Sequence, residues 1–171
     1  AYARPEQAQR MAELGILVQA NPYYVWALAN IYSKFGLGPE RAANMVPLKS
    51  VVDANIPLAF HSDFTMAPVQ PLLLAWAAVT RQTAEGNVMG PQHKISVQQA
   101  LEAITINAAF QMQLEKDIGS IEVGKSADFT ILEQDPFSIP KEKIKDIKIW
   151  GTIFEGNTFK NEKYKESFLD I

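Results

Sequence analysis

The sequence contains no cysteine among its 171 residues. A disulfide framework and a thiolate metal site are therefore excluded. Net charge is also small, because 16 Lys and Arg side chains stand against 19 Asp and Glu side chains, for a formal net charge of -3. Nucleic-acid-binding domains carry a basic surface. The charge balance therefore argues against a nucleic-acid partner.

Long hydrophobic runs are missing as well. The longest apolar stretch covers residues 71–79, whereas a transmembrane helix needs about 20 apolar residues, so we expect no membrane partner. The N-terminus has neither an initiator Met nor a basic-then-apolar targeting pattern. With the absence of cysteine, this favours a cytoplasmic protein. Because Ala1 leads directly into a helix start, we expect a chain that begins in mid-domain.

The first 115 residues alternate between predicted helices and short buried strands. Pro5 opens a first helix, and residues 16–20 form the first predicted strand. A second helix is predicted over residues 39–55, and a second strand over residues 56–61, just before Asp63. This alternation is typical of parallel βαβ units and predicts an α/β fold class.

Residues 81–94 are polar and contain glycine, which predicts a surface loop with His93 exposed to solvent. Ser96 and Gln99 then match a capping box, in which each residue binds the backbone N–H of the other. A helix is therefore predicted after Ser96. Its apolar face is formed by Val97, Ala100, Leu101, Ile104 and Ala108.

Beyond residue 117 the pattern changes to short strands separated by turn residues. Strands are predicted around residues 118–123 and 129–132, and at two sites within residues 147–154. Residues 155–158 predict a hairpin turn with a two-residue loop. The charged tail, residues 161–171, is expected to be a surface helix or a frayed end. This part therefore predicts a small antiparallel β unit.

Two stretches of the sequence resemble the metal-dependent amidohydrolase superfamily, specifically the amidohydrolase-3 branch of N-acyl and imide-type hydrolases. The first is residues 48–63, Leu-Lys-Ser-Val-Val-Asp-Ala-Asn-Ile-Pro-Leu-Ala-Phe-His-Ser-Asp, with Ala-Pro-Val at 67–69. The second is Thr-Ile-Asn-Ala-Ala at 105–109, followed by residues 118–132. Residues 119–128 match the pattern G-x-I-x-x-G-x-x-A-D.

The resemblance implies a distorted (β/α)8 barrel with a β-sandwich built from both chain ends. Residues 1–115 would be the last quarter of the barrel, with strands 7 and 8 and their flanking helices. Residues 116–171 would be the C-terminal β-sandwich segment and tail. A complete barrel takes about 250 residues, so we expect a fragment of a longer protein.

The resemblance also implies a metal site to which this sequence contributes Asp63. In the family, the other ligands lie on earlier strands, so they fall outside this chain. The implied cofactor is a divalent metal, most simply zinc, with Asp63 as both a metal ligand and the catalytic proton shuttle. Elementary chemistry agrees, because active sites of (β/α)8 barrels lie at the carboxyl ends of strands and a carboxylate transfers protons in hydrolysis. The alternative is that Asp63 only caps the following loop.

The other candidate residues each have two interpretations. His61 shares a strand face with Asp63, so it either orients Asp63 or a metal ligand or is a hydrogen-bonded core histidine. Tyr23 and its aromatic neighbours follow the first strand and either line an apolar substrate pocket or pack within a helix. Phe64 and Thr65 directly follow Asp63, which favours a place at the pocket mouth.

These patterns predict part of a hydrolase that acts on C–N bonds of amides, imides or cyclic amides. The expected partner is a small amide-type substrate. The isolated chain is expected to be inactive, because it supplies a single metal ligand. We also expect a homo-oligomer, or association through exposed barrel strand edges. The alternative is a non-catalytic amidohydrolase-like protein that serves binding or assembly.

Overall fold

The structure is a computed structural model that describes residues 3–162. In chain order, its helices and strands are α1 (Pro5–Glu13), β1 (Val18–Ala20), α2 (Tyr23–Phe35), α3 (Gly38–Ala43), α4 (Leu48–Asp53), β2 (Leu58–Phe60), α5 (Pro71–Thr80), α6 (Val97–Ala103), α7 (Ile106–Gln111), β3 (Phe129–Leu132), β4 (Ile149–Phe154) and β5 (Asn157–Lys160). Two 3-10 helices, Pro91–His93 and Lys141–Asp146, complete the order. Within this described range, every helix is too short or too polar to cross a membrane.

Strands β1 and β2 form a two-stranded parallel sheet, in which Ala20 pairs with Phe60. This pairing confirms the predicted parallel strands. Helices α2, α3 and α4 lie between the two strands in the chain and form the connection that a parallel pair requires. Both strands are shorter than the runs 16–20 and 56–61 that the sequence suggested. The carboxyl ends of parallel strands lie at the same edge. The segments that follow Ala20 and Phe60 are therefore neighbours.

The helix predicted over residues 39–55 is interrupted, so the prediction of a single helix was wrong. Helix α3 ends at Ala43, and α4 begins at Leu48. Pro47 lacks a backbone N–H and disfavours helical geometry in the residue before it. That residue, Val46, has a φ of 48°. Val46 and Leu48 are nevertheless buried, as the apolar pattern predicted.

The predicted capping box at the start of α6 is confirmed. The Gln99 N–H donates to Ser96 Oγ at 3.1 Å, and the Ser96 N–H donates to Gln99 Oε1 at 2.9 Å. The helix beyond it divides into α6 and α7 at Thr105, whose φ of -128° and ψ of -100° are not helical. Gly119 packs closely on α7, because a Cβ there would lie 2.7 Å from Ala109 Cβ.

Helix α5 is buried on nearly all sides. Every residue from Leu74 to Thr80 is buried, because α5 packs against α2, α6 and the second 3-10 helix. Trp76 Nε1 donates to the carbonyl oxygen of Glu142 at 3.0 Å, and Ile144 beside it is fully buried. A helix surrounded by protein needs no polar face, which explains the unbroken apolar run.

The prediction that His93 is exposed was wrong. His93 is buried, and its Nε2 lies 2.9 Å from Asn44 Oδ1. Arg81 is fully buried nearby and donates to the carbonyl oxygens of Val46 at 2.9 Å and Met89 at 2.7 Å. Burial lowers the pKa of Arg81 to about 10, and burial followed by the Arg81 charge lowers the pKa of His93. These bonds hold the 81–94 loop against the α3–α4 connection.

Strands β3, β4 and β5 form an antiparallel sheet in that order. The two strands predicted within residues 147–154 are one continuous strand, β4. A two-residue hairpin loop within the predicted residues 155–158 is confirmed. Because Asn157 and Thr158 already belong to β5, the loop consists of Glu155 and Gly156. Their φ values of 49° and 79° are those of a type I′ turn. Most of the charged tail at 161–171, for which a helix or frayed end was expected, lies outside the described residues.

The strand predicted over residues 118–123 is absent from the described structure, which has turns there. Gly119 and Gly124 have φ values of 93° and 96°, a region that glycine enters without steric cost. Ile121 and Val123 consequently point outward and are 85% and 108% exposed. Their apolar character is therefore not explained by packing within residues 3–162.

Candidate active site

The carboxyl ends of β1 and β2 bring together two segments that are distant in sequence. Asn21 directly follows β1, and residues 61–63 follow β2. The His61 N–H donates to the carbonyl oxygen of Ala20 at 3.0 Å, which joins the two segments. Asp63 lies three residues beyond the end of β2, is exposed, and has a φ of 56°. Aspartate tolerates this left-handed conformation better than most residues.

Tyr24 lies in the first turn of α2, where its side chain reaches Asp63. The Tyr24 hydroxyl donates to Asp63 Oδ2 at 3.4 Å. Burial and then the neighbouring Asp63 carboxylate raise the pKa of Tyr24. The phenol therefore stays protonated and remains a donor at neutral pH. This contact turns Asp63 Oδ2 toward the Tyr24 hydroxyl group.

Asn21 fixes the start of α2 and therefore the position of Tyr24. Its Oδ1 accepts the Tyr23 N–H at 3.0 Å, and its carbonyl oxygen accepts the Tyr24 N–H at 3.3 Å. Asn21 and the adjacent Pro22 are both buried. A side-chain acceptor of this kind satisfies a backbone donor that the first helical turn leaves without an intrahelical partner.

A cavity of about 280 Å³ lies beside this group. Its polar lining comes from Gln19, Asn21, Tyr24 and His61. Most of the remaining lining is apolar and comes from α1, β1, the α3–α4 connection and α4, as Met11, Val18, Ala20, Val46, Pro47, Leu48 and Val51. Tyr24 lines the cavity and also binds Asp63, so the cavity is adjacent to the candidate carboxylate.

His61 is exposed and contributes to the cavity lining. Strand alternation was expected to align its side chain with that of Asp63. Because β2 ends at Phe60, however, neither residue belongs to the strand and the alternation rule does not apply to them. The role of His61 in orienting Asp63 stays a prediction.

Tyr23, Phe64 and Thr65 do not line this cavity in the described structure. Tyr23 instead packs edge-on against Trp26, with 5.0 Å between ring centroids. Phe64 is 71% exposed, and Thr65 is exposed as well. Both follow Asp63 directly and lie on the surface next to it. A substrate contact for these three residues stays a prediction.

The described residues do not build a metal centre by themselves. Residues 3–162 contain no group of three or more His, Cys, Asp or Glu side chains that could hold a metal ion. Structural and catalytic zinc sites use at least three protein ligands. Asp63 fits as one oxygen ligand at the edge formed by β1 and β2, and a complete site requires ligands from elsewhere.

Sequence reasoning did not single out the contact between Tyr24 and Asp63. Tyr24 was one of several aromatic residues after the first strand, assigned equally to a pocket or to helix packing. A usable signal was the βαβ pattern itself, because it places the residues after β1 beside those after β2. The pattern did not indicate which side chain reaches the carboxylate.

A sequence profile described as the amidohydrolase family matches residues 1–159 of the chain. The chain belongs to this family. It is 29% identical over 154 residues to an N-substituted formamide deformylase from Arthrobacter pascens, a match that covers 90% of this chain and 28% of that protein. It is 30% identical over 109 residues to an imidazolonepropionase from Bdellovibrio bacteriovorus, covering 63% of this chain and 22% of that protein.

A solved structure with the same arrangement is that of an uncharacterized metal-dependent hydrolase from Pyrococcus furiosus. The TM-score is 0.65 at 27% sequence identity, and the match covers 81% of this chain and 28% of that one. The chain thus spans less than a third of the length of each of these three amidohydrolase-like relatives.

Proposed function

We propose that this chain is the C-terminal part of a metal-dependent hydrolase that acts on C–N bonds of amides, imides or cyclic amides. The observation that carries the proposal is the hydrogen bond from the Tyr24 hydroxyl to Asp63 Oδ2 at the carboxyl edge of β1 and β2. It supplies a positioned carboxylate next to a cavity. Family membership and amide-hydrolysing relatives support the reaction class.

The corresponding architectural proposal divides the chain near residue 115. Residues 1–115 would form the last quarter of a (β/α)8 barrel, in which β1 and β2 are strands 7 and 8. Residues 116–171 would belong to a β-sandwich. The parallel pairing of β1 with β2 and the antiparallel order β3-β4-β5 support this division.

In the proposed reaction, Asp63 moves the proton. Amide hydrolysis requires removal of a proton from the attacking water and delivery of a proton to the departing nitrogen. An ionised carboxylate at the cavity edge accepts the first proton and donates it in the second step. Tyr24 holds one carboxylate oxygen, which limits the orientations that Asp63 samples and favours the productive one.

The proposed cofactor is a divalent metal, most simply zinc, with Asp63 as its single ligand from this chain. When bound, such a metal lowers the pKa of water and polarises the substrate carbonyl. The similarity to a metal-dependent hydrolase from Pyrococcus furiosus supports this proposal. With one ligand available, the isolated 171-residue chain should neither hold the metal tightly nor hydrolyse substrate.

The test compares Asp63→Asn with wild type in the protein translated from the complete reading frame that encodes this chain. Hydrolysis of an N-substituted formamide and of a cyclic imide would be measured with added zinc. Asparagine keeps the size of aspartate but cannot shuttle the proton, so we expect kcat to fall by about 100-fold or more. Asp53→Asn, at an exposed aspartate that ends α4, is the matched control and should retain wild-type rates.

Hydrolysis by Asp63→Asn at rates near wild type would show that the proton shuttle is a different group. Absence of hydrolysis in the wild-type protein on every C–N substrate, together with absence of bound metal, would favour the non-catalytic alternative.

A further inference from the structure

The side-chain oxygen of Asn21 accepts a hydrogen bond, whereas its side-chain nitrogen donates none to residues 3–162. Asn21 is only 4% exposed. Its Oδ1 accepts the Tyr23 N–H, which fixes the orientation of the amide and turns the NH2 group the other way. Among the described residues 3–162, Nδ2 has no hydrogen-bond partner. Buried side-chain donors nearly always have a partner in folded proteins, so this NH2 group requires an explanation.

Local structure accounts for the oxygen of Asn21 but not for its nitrogen. Capping the first turn of α2 requires only an acceptor, a role that serine or aspartate fills as well as asparagine. The NH2 group adds a buried donor that costs free energy while unpaired. An asparagine at position 21 is therefore explained if an acceptor that does not belong to residues 3–162 receives a hydrogen bond from the NH2 group.

The surroundings of Asn21 indicate a small ligand. Asn21 lines the cavity of about 280 Å³ together with Tyr24 and His61. Most of the remaining lining is apolar and includes Leu48 and Val51. Ligand sites typically combine an apolar wall with a few polar groups that fix orientation. Tyr24 connects the cavity to Asp63 through its hydroxyl group.

We infer that Asn21 is a substrate-binding residue whose Nδ2 donates a hydrogen bond to a carbonyl oxygen of an amide ligand, while the apolar wall holds the ligand's hydrocarbon group. The inference rests on the proposed function, because the ligand is the substrate on which Asp63 acts. It goes further by defining the substrate class. That class is a neutral amide that carries an apolar substituent.

The test uses Asn21→Asp in this 171-residue chain and measures binding, which does not require hydrolysis. Aspartate keeps the acceptor for the Tyr23 N–H but removes the NH2 donor. N-butylacetamide, which has a carbonyl oxygen and an apolar group, would be titrated against the 15N-labelled chain and followed by NMR. We expect the Asn21 side-chain amide signals of wild type to shift, and the affinity of Asn21→Asp to be about tenfold lower.

Two controls separate ligand binding from folding. Asn30→Asp removes a side-chain NH2 group within α2. Unlike the Nδ2 of Asn21, the Nδ2 of Asn30 already donates to Thr83 Oγ1 at 2.9 Å. Asn30→Asp should therefore lower the melting temperature and leave the affinity unchanged. Asn21→Asp should lower the affinity and leave the melting temperature unchanged. Acetamide, which lacks the apolar group, should bind more weakly than N-butylacetamide.

The inference is overturned if N-butylacetamide leaves the Asn21 side-chain signals of the folded wild type unshifted, or if Asn21→Asp binds it as tightly as wild type. If Asn21→Asp failed to fold, the wild-type side-chain signals alone would decide the question. Binding that depends on Asn21, together with absence of hydrolysis by the protein translated from the complete reading frame, would refute the proposed function and leave Asn21 as an amide-binding residue without a substrate role. Conversely, hydrolysis by the complete protein, with Asn21 signals of the chain unshifted by N-butylacetamide, would refute only the inference.

Discussion

At the scale of single residues, the guanidinium group of Arg81 organises a large share of the buried polar contacts. Arg81 is fully buried, and its Nη2 donates to the carbonyl oxygen of Met45 at 2.8 Å, in addition to the bonds to Val46 and Met89. The planar fork of arginine matches several carbonyl oxygens at once, which lysine does not. This single side chain therefore connects the end of α5 to the α3–α4 connection.

Replacing Arg81 with methionine should destabilise the protein strongly. The substitution removes the Arg81 donors to the carbonyl oxygens of Met45 and Met89, whereas that of Val46 still accepts the Leu48 N–H. We therefore expect the free energy of unfolding to fall by about 3 kcal/mol. Urea denaturation followed by circular dichroism measures this change. Arg41→Met is the matched control, because Arg41 is an exposed arginine of α3, and it should change the free energy by less than about 0.5 kcal/mol. Equal effects of the two substitutions would contradict the role of Arg81.

Tyr24→Phe tests the contact with Asp63 in the protein that contains this chain. The substitution removes the hydroxyl group and leaves the aromatic ring. This bond is exposed and, at 3.4 Å, longer than an ordinary O–H···O bond, so it contributes less than the ~1.5–3 kcal/mol of short bonds to charged groups. We therefore expect kcat to fall about threefold. The KM should change little if Tyr24 positions Asp63 and does not bind substrate.

Tyr32→Phe is the control for Tyr24→Phe, since Tyr32 is an exposed tyrosine of the same helix. A rise in KM with unchanged kcat in Tyr24→Phe would assign Tyr24 to substrate binding instead.

Sequence reasoning at this scale identified Asp63 as a candidate but misjudged His93. A residue type and its immediate neighbours indicate solvent exposure only on average. His93 lies in a polar segment, yet its Nε2 contacts Asn44, which is 49 residues away in the chain, and Arg81 at the start of its own segment lies near it. Such burial depends on packing between elements that are far apart in sequence.

At the scale of elements, local chemistry determined where several helices and turns begin. The capping box at Ser96 starts α6, and the loop of Glu155 and Gly156 joins β4 to β5. Both features depend on residues within four positions of each other, so the sequence shows them directly. The break at Val46 was missed although Pro47, the next residue, disfavours helical geometry there. The break at Thr105 was missed because no proline or glycine beside it indicates its non-helical backbone angles.

Ser96→Ala should weaken α6 by the amount that a lost N-cap usually costs. We expect the free energy of unfolding to fall by about 1 kcal/mol, because the Gln99 N–H loses its acceptor. Gln98→Ala removes a side-chain contact to Glu102 on the same helix and should cost only about 0.3 kcal/mol. Thermal and urea denaturation of both variants measure the difference, and a neutral Ser96→Ala would show that the cap is dispensable.

At the scale of the whole molecule, the parallel sheet has only two strands in the described structure. Strands with open edges expose unpaired backbone groups and tend to associate. Ile121 and Val123 add exposed apolar surface. We therefore expect the isolated chain to self-associate as its concentration rises. Sedimentation velocity over a concentration series measures this, and a monomer at every concentration would contradict it.

The stability of the whole chain should depend on pH through His93. Its pKa in the folded protein is lowered from 6.5 by burial and by Arg81, so the unfolded chain binds the proton more readily. Stability is therefore fully present above about pH 6.5 and falls as pH decreases below that value. Urea denaturation between pH 5 and pH 8 measures the slope, in steps chosen around about pH 6.5. His93→Gln should have a smaller slope in this window, and parallel curves would refute the assignment.

The sequence by itself determined the order of most elements, the parallel pairing of the two early strands, the capping box, the hairpin turn and the family. The element order, the capping box, the hairpin turn and the family follow from periodicity, turn chemistry or short motifs, which act between residues close in the chain. The parallel pairing joins distant residues, such as Val18 and Leu58, and was predicted from the alternation of helices and strands. Tertiary structure alone decided that Tyr24 reaches Asp63 and that Asn21 is buried with no partner for its NH2 group among residues 3–162. The physical reason is that these contacts join segments up to 39 residues apart. Their geometry is set by how β1 and β2 align and how α2 packs beside them, and no local pattern records that alignment.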